Sequence, residues 1–137
     1  MNVRLPWDLR HVLEGGAREN YPQEACGVLI GRQTETEVAI ADLVRGRNLN
    51  TERARDRFEL DPQDLLRAGE RALSLGLDVV GIWHTHPDHP ARPSETDRAQ
   101  AWDAWIYLIV PVRKGDVGKP RAWRLNGSAF VEKKLKS

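Results

Sequence analysis

The chain has a single cysteine, Cys26, among its 137 residues. An internal disulfide is therefore excluded, and the composition fits a reducing compartment. Net charge is nearly absent as well: 21 basic residues stand against 20 acidic ones, a formal charge of +1. So even a balance gives no surface for nucleic acid and points to no strongly acidic partner; it describes a solvated exterior. No apolar segment approaches the ~20 residues needed to span a bilayer. The opening MNVRLPWDLRHVLEGG lacks the apolar core of a secretory signal. Repeats, low-complexity tracts and linkers are also missing. The expectation is one cytoplasmic domain over 1–137, long enough to bury a core without disulfides, with no membrane or nucleic-acid partner.

What the chain does have is a concentration of costly polar groups. GIWHTHPDHPARPSETD, from Gly81 to Asp97, holds three of the four histidines, three prolines, a serine and several acids. It follows directly on the apolar run Val79-Val80-Gly81-Ile82-Trp83.

Around this stretch the pattern predicts alternating kinds of element. Leu9, Val12, Leu13 and Ala17 have helical spacing over 7–20, weakened by Gly15-Gly16. Residues 25–31 form a buried strand, and Val38–Val44 its hairpin partner through Gln33-Thr34-Glu35. Arg45–Arg57 is dense in arginine and reads as an exposed loop, followed by a short strand at Phe58-Glu59-Leu60. A helix over 62–75 has Asp61 as N-cap, Pro62 at N1 and Gly76 as its stop, with Leu65, Leu66, Ala72 and Leu73 as the apolar face. Leu77–Trp83 is a strand, Ser94 starts a helix ending near Trp102, and Trp105–Val112 pairs with Pro120–Leu125 across Lys114–Lys119. Strands and helices mix without strict alternation, which implies an α+β fold with a mixed sheet flanked by helices.

His84 and His86 lie two apart at a strand end, so both imidazoles face one side and Thr85 the other. Pro87, Pro90 and Pro93 stiffen the loop that follows. With Ser94 as N-cap, Asp97 is at N3 on the first helical turn. Two imidazoles and a carboxylate make a Zn²⁺ set of three protein ligands, leaving a fourth position for water, as catalytic zinc requires. Such a water has a pKa of ~7. Each part also has a plain structural use. Ser-x-x-Asp is an acidic capping box, and a lone His-x-His more often serves surface or core polarity. The joint spacing is the stronger signal, with a chance occurrence of roughly 1 in 10⁵ for such a chain.

The spacing His84-x-His86-Pro87 through Ser94-x-x-Asp97 resembles the metal-binding signature of the JAMM (MPN+) metalloprotease family. That family also carries an acidic residue in a Pro-x-Glu-x-Cys/Ser-Gly-x-Leu-x-Gly setting, here Pro22 to Gly31 with Glu24 as the acid. The likeness covers nearly the whole chain. It implies a single JAMM/MPN-like, cytidine-deaminase-like domain in which His84, His86 and Asp97 hold one Zn²⁺. It implies further that Glu24 acts as general base and then acid, and that Ser94 Oγ hydrogen-bonds the oxyanion. Trp102-Asp103-Ala104-Trp105 runs directly from helix to strand, leaving no room for the insertion with which deubiquitinases of the family grip ubiquitin. The resemblance therefore implies the compact prokaryotic form, which acts on a ubiquitin-like sulfur-carrier protein ending in Gly-Gly and is often a homodimer.

Two other classes stay open at this stage: a zinc amidase on small peptides, and a non-catalytic module whose histidines are relics. Cys26 is expected to be a packed thiol, and His11 and His89 to lie in solvent. Core packing is the default for Trp83, Trp102 and Trp105, with Trp102 also placed to line a substrate groove. The arginines of 45–57 are expected to be solvated.

Overall fold

Eight strands and three helices alternate irregularly in the computed structural model, which describes residues 1–137. In chain order they are β1 (Asn2–Arg4), α1 (Trp7–Asn20), β2 (Cys26–Gln33), β3 (Glu37–Arg45), α2 (Pro62–Leu75), β4 (Asp78–Pro87), α3 (Glu95–Ala99), β5 (Ile106–Arg113), β6 (Asp116–Val117), β7 (Arg121–Asn126) and β8 (Ala129–Lys136). The sheet order is β4-β2-β3-β1-β8-β7-β5-β6, and β4 also pairs with β5. That extra pairing closes every strand except β6 into a ring. β2 meets β4 antiparallel, whereas β4 and β5 run parallel, so the sheet is mixed. One apolar cluster packs under α1 through Leu13 and Ala17, and a second under α2 through Ala68 and Ala72.

The apolar run before the histidines is explained by the place of β4. It is hydrogen-bonded on both edges, to β2 and to β5, and is buried from Val80 through Pro87. A strand covered this way reads as continuous apolar sequence. The strand also runs four residues beyond the predicted end at Trp83, so His84 and His86 lie on it rather than past it.

α1 spans the predicted range despite its glycines. At Gly16 an added Cβ would sit 3.4 Å from the Trp83 ring, so the helix gains a close approach to β4 there. Val12, expected on the buried face, is 48% exposed. α2 has the predicted ends: the Asp61 side chain accepts from Gln63 N–H, Pro62 opens the helix, and Gly76 closes it in the left-handed region at φ 67°. Its buried face is as expected at Ala72 and, half-buried, at Leu65, but not elsewhere. Leu66 and Leu73 are 64% and 82% exposed, while Asp64, Ala68 and Ala72 are buried. The 64/68/72 spacing turns small residues to the sheet and lets the helix lie close, a fit that side-chain apolarity alone does not reveal.

Three other expectations are corrected, and two further strands are found. The 45–57 loop is not wholly exposed: Ala54 is buried, its carbonyl accepts from Glu24 N–H at 2.5 Å, and Asn48 Nδ2 donates to Glu24 O and Arg57 O. Phe58–Leu60 makes only one bridge, Asn48 with Leu60, and no full strand. α3 stops at Ala99 instead of reaching Trp102. β1 and β8 were not anticipated; β1 is three residues long, and β8 is largely exposed with three lysines, so neither carries a strong apolar signal.

Candidate metal centre

The β2–β4 register joins parts of the chain that lie sixty residues apart. Cys26 pairs with His84, which brings Ala25 opposite Thr85 and Glu24 beside His86. Thr85, facing away from the histidines as predicted, fastens this junction: its Oγ1 accepts from Ala25 N–H at 2.8 Å, and its own N–H donates to Ala25 O. A buried hydroxyl without partners would be costly, so Thr85 is satisfied by the contact that positions Glu24.

The His84 and His86 Nε2 atoms are 3.1 Å apart, and Asp97 Oδ2 lies 3.3 and 3.0 Å from them respectively. Glu24, His84 and His86 each offer a ligand atom within 4.8 Å of the others, a set able to hold a metal ion. The fit to zinc is geometric. A tetrahedral ion with bonds of 2.0–2.1 Å sets its ligand atoms about 3.3 Å apart, and the two nitrogens and Oδ2 are spaced in that way. The donor set of nitrogen and oxygen suits zinc and several other divalent ions. His86 Nδ1 is 2.7 Å from Pro90 O, a contact that fixes the proton on Nδ1 and leaves Nε2 as a donor of its lone pair. His84 stacks on Phe58 with ring centroids 4.5 Å apart. Its Nδ1 and Glu24 Oε1 are both buried and have no hydrogen-bond partner.

Electrostatics sorts the two carboxyls. Burial first, then the charges of Asp97 and Asp56, push Glu24 up to about 9. Burial also works against the charge on Asp97, but its hydrogen bonds with His84, His86 and Ser94 N–H outweigh it and hold that carboxyl far below the usual range. Burial keeps His84 below its ordinary value against the pull of Asp97, favouring the neutral imidazole that can ligate. Of two nearby carboxyls, one is made strongly basic and the other remains an anion.

The capping and metal readings of Ser94-x-x-Asp97 turn out to be compatible. Ser94 Oγ accepts from Asp97 N–H at 3.0 Å and Ser94 N–H donates to Asp97 Oδ2 at 2.9 Å, a complete capping box. The same Oδ2 faces both imidazoles. Ser94 uses its hydroxyl oxygen as an acceptor here, so its O–H remains available as a donor. Sequence reasoning passed over Phe58 and Asn48; a lone aromatic after an arginine-rich loop was the only hint of the first.

Two grooves meet at this centre. One, of about 260 Å³, is largely apolar and is lined by Phe58, Leu60, Leu65, Trp102 and Trp105 together with His84 and Asp97. Trp102, 68% exposed, is on its rim, so it lines a groove as anticipated and is not core; Trp83 is core. The other groove, of about 440 Å³, has no apolar wall and includes His86 and Ser94. His89 is exposed but edges against His86, with centroids 5.5 Å apart; His11 is exposed. Cys26 is buried, and burial followed by the charge of Glu24 pushes its thiol up to about 12, as suits a packed residue.

Known proteins resemble this chain over most of its length. A desampylase from Haloferax volcanii is 40% identical over 125 residues, covering 90% of this chain and 84% of the relative. A CysO-cysteine peptidase from Mycobacterium tuberculosis is 30% identical over 131 residues, covering 91% and 84%. The crystal structure of a JAB1/MPN domain protein from Archaeoglobus fulgidus superposes with a TM-score of 0.59 at 19% identity, covering all of both chains, a likeness of fold alone. The sequence profile of the family described as prokaryotic homologues of the JAB domain matches residues 8–126, and this α+β chain belongs to that family.

Proposed function

We propose that this JAMM-type metallopeptidase hydrolyses the amide bond after the C-terminal Gly-Gly of a ubiquitin-like carrier protein, releasing the amine attached to it. The observation that carries the reading is the convergence of His84 Nε2, His86 Nε2 and Asp97 Oδ2 within 3.3 Å, with the unpartnered Glu24 Oε1 buried beside them. In this reading the first three are the metal ligands. A zinc ion there supplies Lewis acidity, polarising a carbonyl and lowering the pKa of water to ~7. Glu24, buried beside the three ligands, takes the proton of the attacking water as a carboxylate and passes it to the departing nitrogen as the C–N bond breaks. Ser94 donates its O–H to the oxyanion of the tetrahedral intermediate. Pro90 O keeps the His86 ring in place throughout.

The apolar groove suits the carrier's tail. Phe58 and Leu60, which line the groove, make no backbone hydrogen bonds, while Glu59 pairs with Asn48 and Leu49. An extended Gly-Gly segment can pair with this short edge, and its lack of side chains admits it to the centre. The relatives named desampylase and CysO-cysteine peptidase agree with substrates of this kind. Bulky residues in place of the two glycines are expected to block cleavage; unimpaired cleavage would sink the tail-binding reading.

The primary test is metal content per chain, by elemental mass spectrometry, in the wild type and in Asp97→Ala. About one zinc in the first and none in the second is expected. Retention of a full equivalent by Asp97→Ala would remove that carboxylate from the ligand set. Saturable cleavage of short peptides with no gain from a folded carrier would favour a small-substrate amidase instead.

A further inference from the structure

The second groove carries unbalanced positive charge. It is lined by Arg53, Arg57 and Arg92 against Asp56 and Glu95. Both carboxylates are already engaged: Asp56 pairs with Arg53, and Glu95 with Arg98 at 2.5 Å. Arg57 and Arg92 have no ion-pair or hydrogen-bond partner for their guanidiniums. Arg57 is half-buried as a residue.

The placement of this charge is set by the backbone. Arg57 and Phe58 are consecutive, and successive side chains of extended chain point to opposite sides; Arg57 lines the polar groove and Phe58 the apolar one. The ridge they form separates two grooves that meet at the metal centre, with His84 and Asp97 facing one and His86 and Ser94 the other. A substrate whose tail fills the apolar groove and whose scissile carbonyl lies at the centre must send its leaving amine toward the polar groove.

We propose that the polar groove is a carboxylate-binding subsite for the leaving group, in which Arg57 and Arg92 recognise the free α-carboxylate of an amino acid joined through its α-amine to the carrier. This rests on the isopeptidase reading above. A guanidinium matches a carboxylate with two parallel N–H donors. The side chain of a lysine acceptor within a folded protein presents no carboxylate at that distance from the bond. The groove thus selects a small, terminal, carboxylate-bearing leaving group over an internal lysine.

The test uses two fluorescein-labelled octapeptides ending in Gly-Gly-Cys, one a free acid and the other a carboxamide, bound to Glu24→Gln and followed by anisotropy. The acid is expected to bind about tenfold tighter, with the advantage shrinking at high salt. The advantage should disappear in Arg57→Gln/Arg92→Gln and be partly kept in Arg57→Lys/Arg92→Lys. Equal binding of acid and amide, or no binding of either at millimolar concentration, would overturn the subsite. The CysO–cysteine conjugate, prepared as acid and as amide, separates the two ideas. Equal cleavage of both forms removes the subsite and leaves the isopeptidase standing. Cleavage of neither removes the isopeptidase reading, and the peptide affinities then decide the subsite alone.

Discussion

At the scale of single residues, burial decides how Glu24 behaves. Its folded pKa is raised from 4.5 to about 9, so in metal-free protein its neutral form contributes stability that is complete below about pH 4.5 and lost as pH rises through about 9. Glu24→Gln carries no such penalty. The metal-free variant is expected to be more stable than metal-free wild type at pH 8, by roughly 1–3 kcal/mol, and the two should converge near pH 4. Denaturant melts at both pH values check this; parallel curves with no pH-dependent gap would contradict it. With metal present, the same substitution is expected to lower turnover to near background. Ser94→Ala removes a helix cap and, on the proposed mechanism, an oxyanion donor. Its expected cost is ~10²–10³ in kcat together with about 1 kcal/mol of stability, and a loss in stability alone would confine Ser94 to capping. Cys26, with its thiol pushed up to about 12, is expected to resist alkylation at pH 8 until the protein unfolds.

At the scale of elements, the legible features were those with local chemistry. Asp61, Pro62 and Gly76 fixed the ends of α2, because caps and turns are written in adjacent residues. The face of α2 was right at Leu65 and Ala72 but wrong at Leu66 and Leu73, because its burial depends on how near the sheet comes, which leucine and alanine do not announce. Leu66→Gln and Leu73→Gln are therefore expected to change stability by less than about 0.5 kcal/mol. Gly27 is the opposite case. An added Cβ would lie 2.1 Å from Val44 O and 2.3 Å from the Trp83 indole nitrogen, in contact with backbone that cannot step aside. Gly27→Ala is expected to cost about 3 kcal/mol, at the upper end of overpacking, as read by thermal melts. The metal-facing pair on β4 was visible in the spacing of His84 and His86. Glu24 was not, since only the β2–β4 register brings it near; its role came from likeness to a family.

At the scale of the whole molecule, the strand ring and the centre support each other. β4 supplies both histidines and is held on each edge, so the imidazoles cannot drift apart without breaking the ring. An ion bound only by the folded state adds stability by mass action. Chelation is accordingly expected to lower the melting temperature of the wild type by several degrees and to leave Asp97→Ala unmoved, as scanning calorimetry would read. The dual use of the Ser94–Asp97 pair also bears on how descent can be read. A lineage that loses its histidines, and with them its chemistry, still needs that serine and aspartate to start α3. Loss of the histidines alone would leave α3 capped, so Ser-x-x-Asp without His-x-His marks where a helix starts and says nothing of the chemistry.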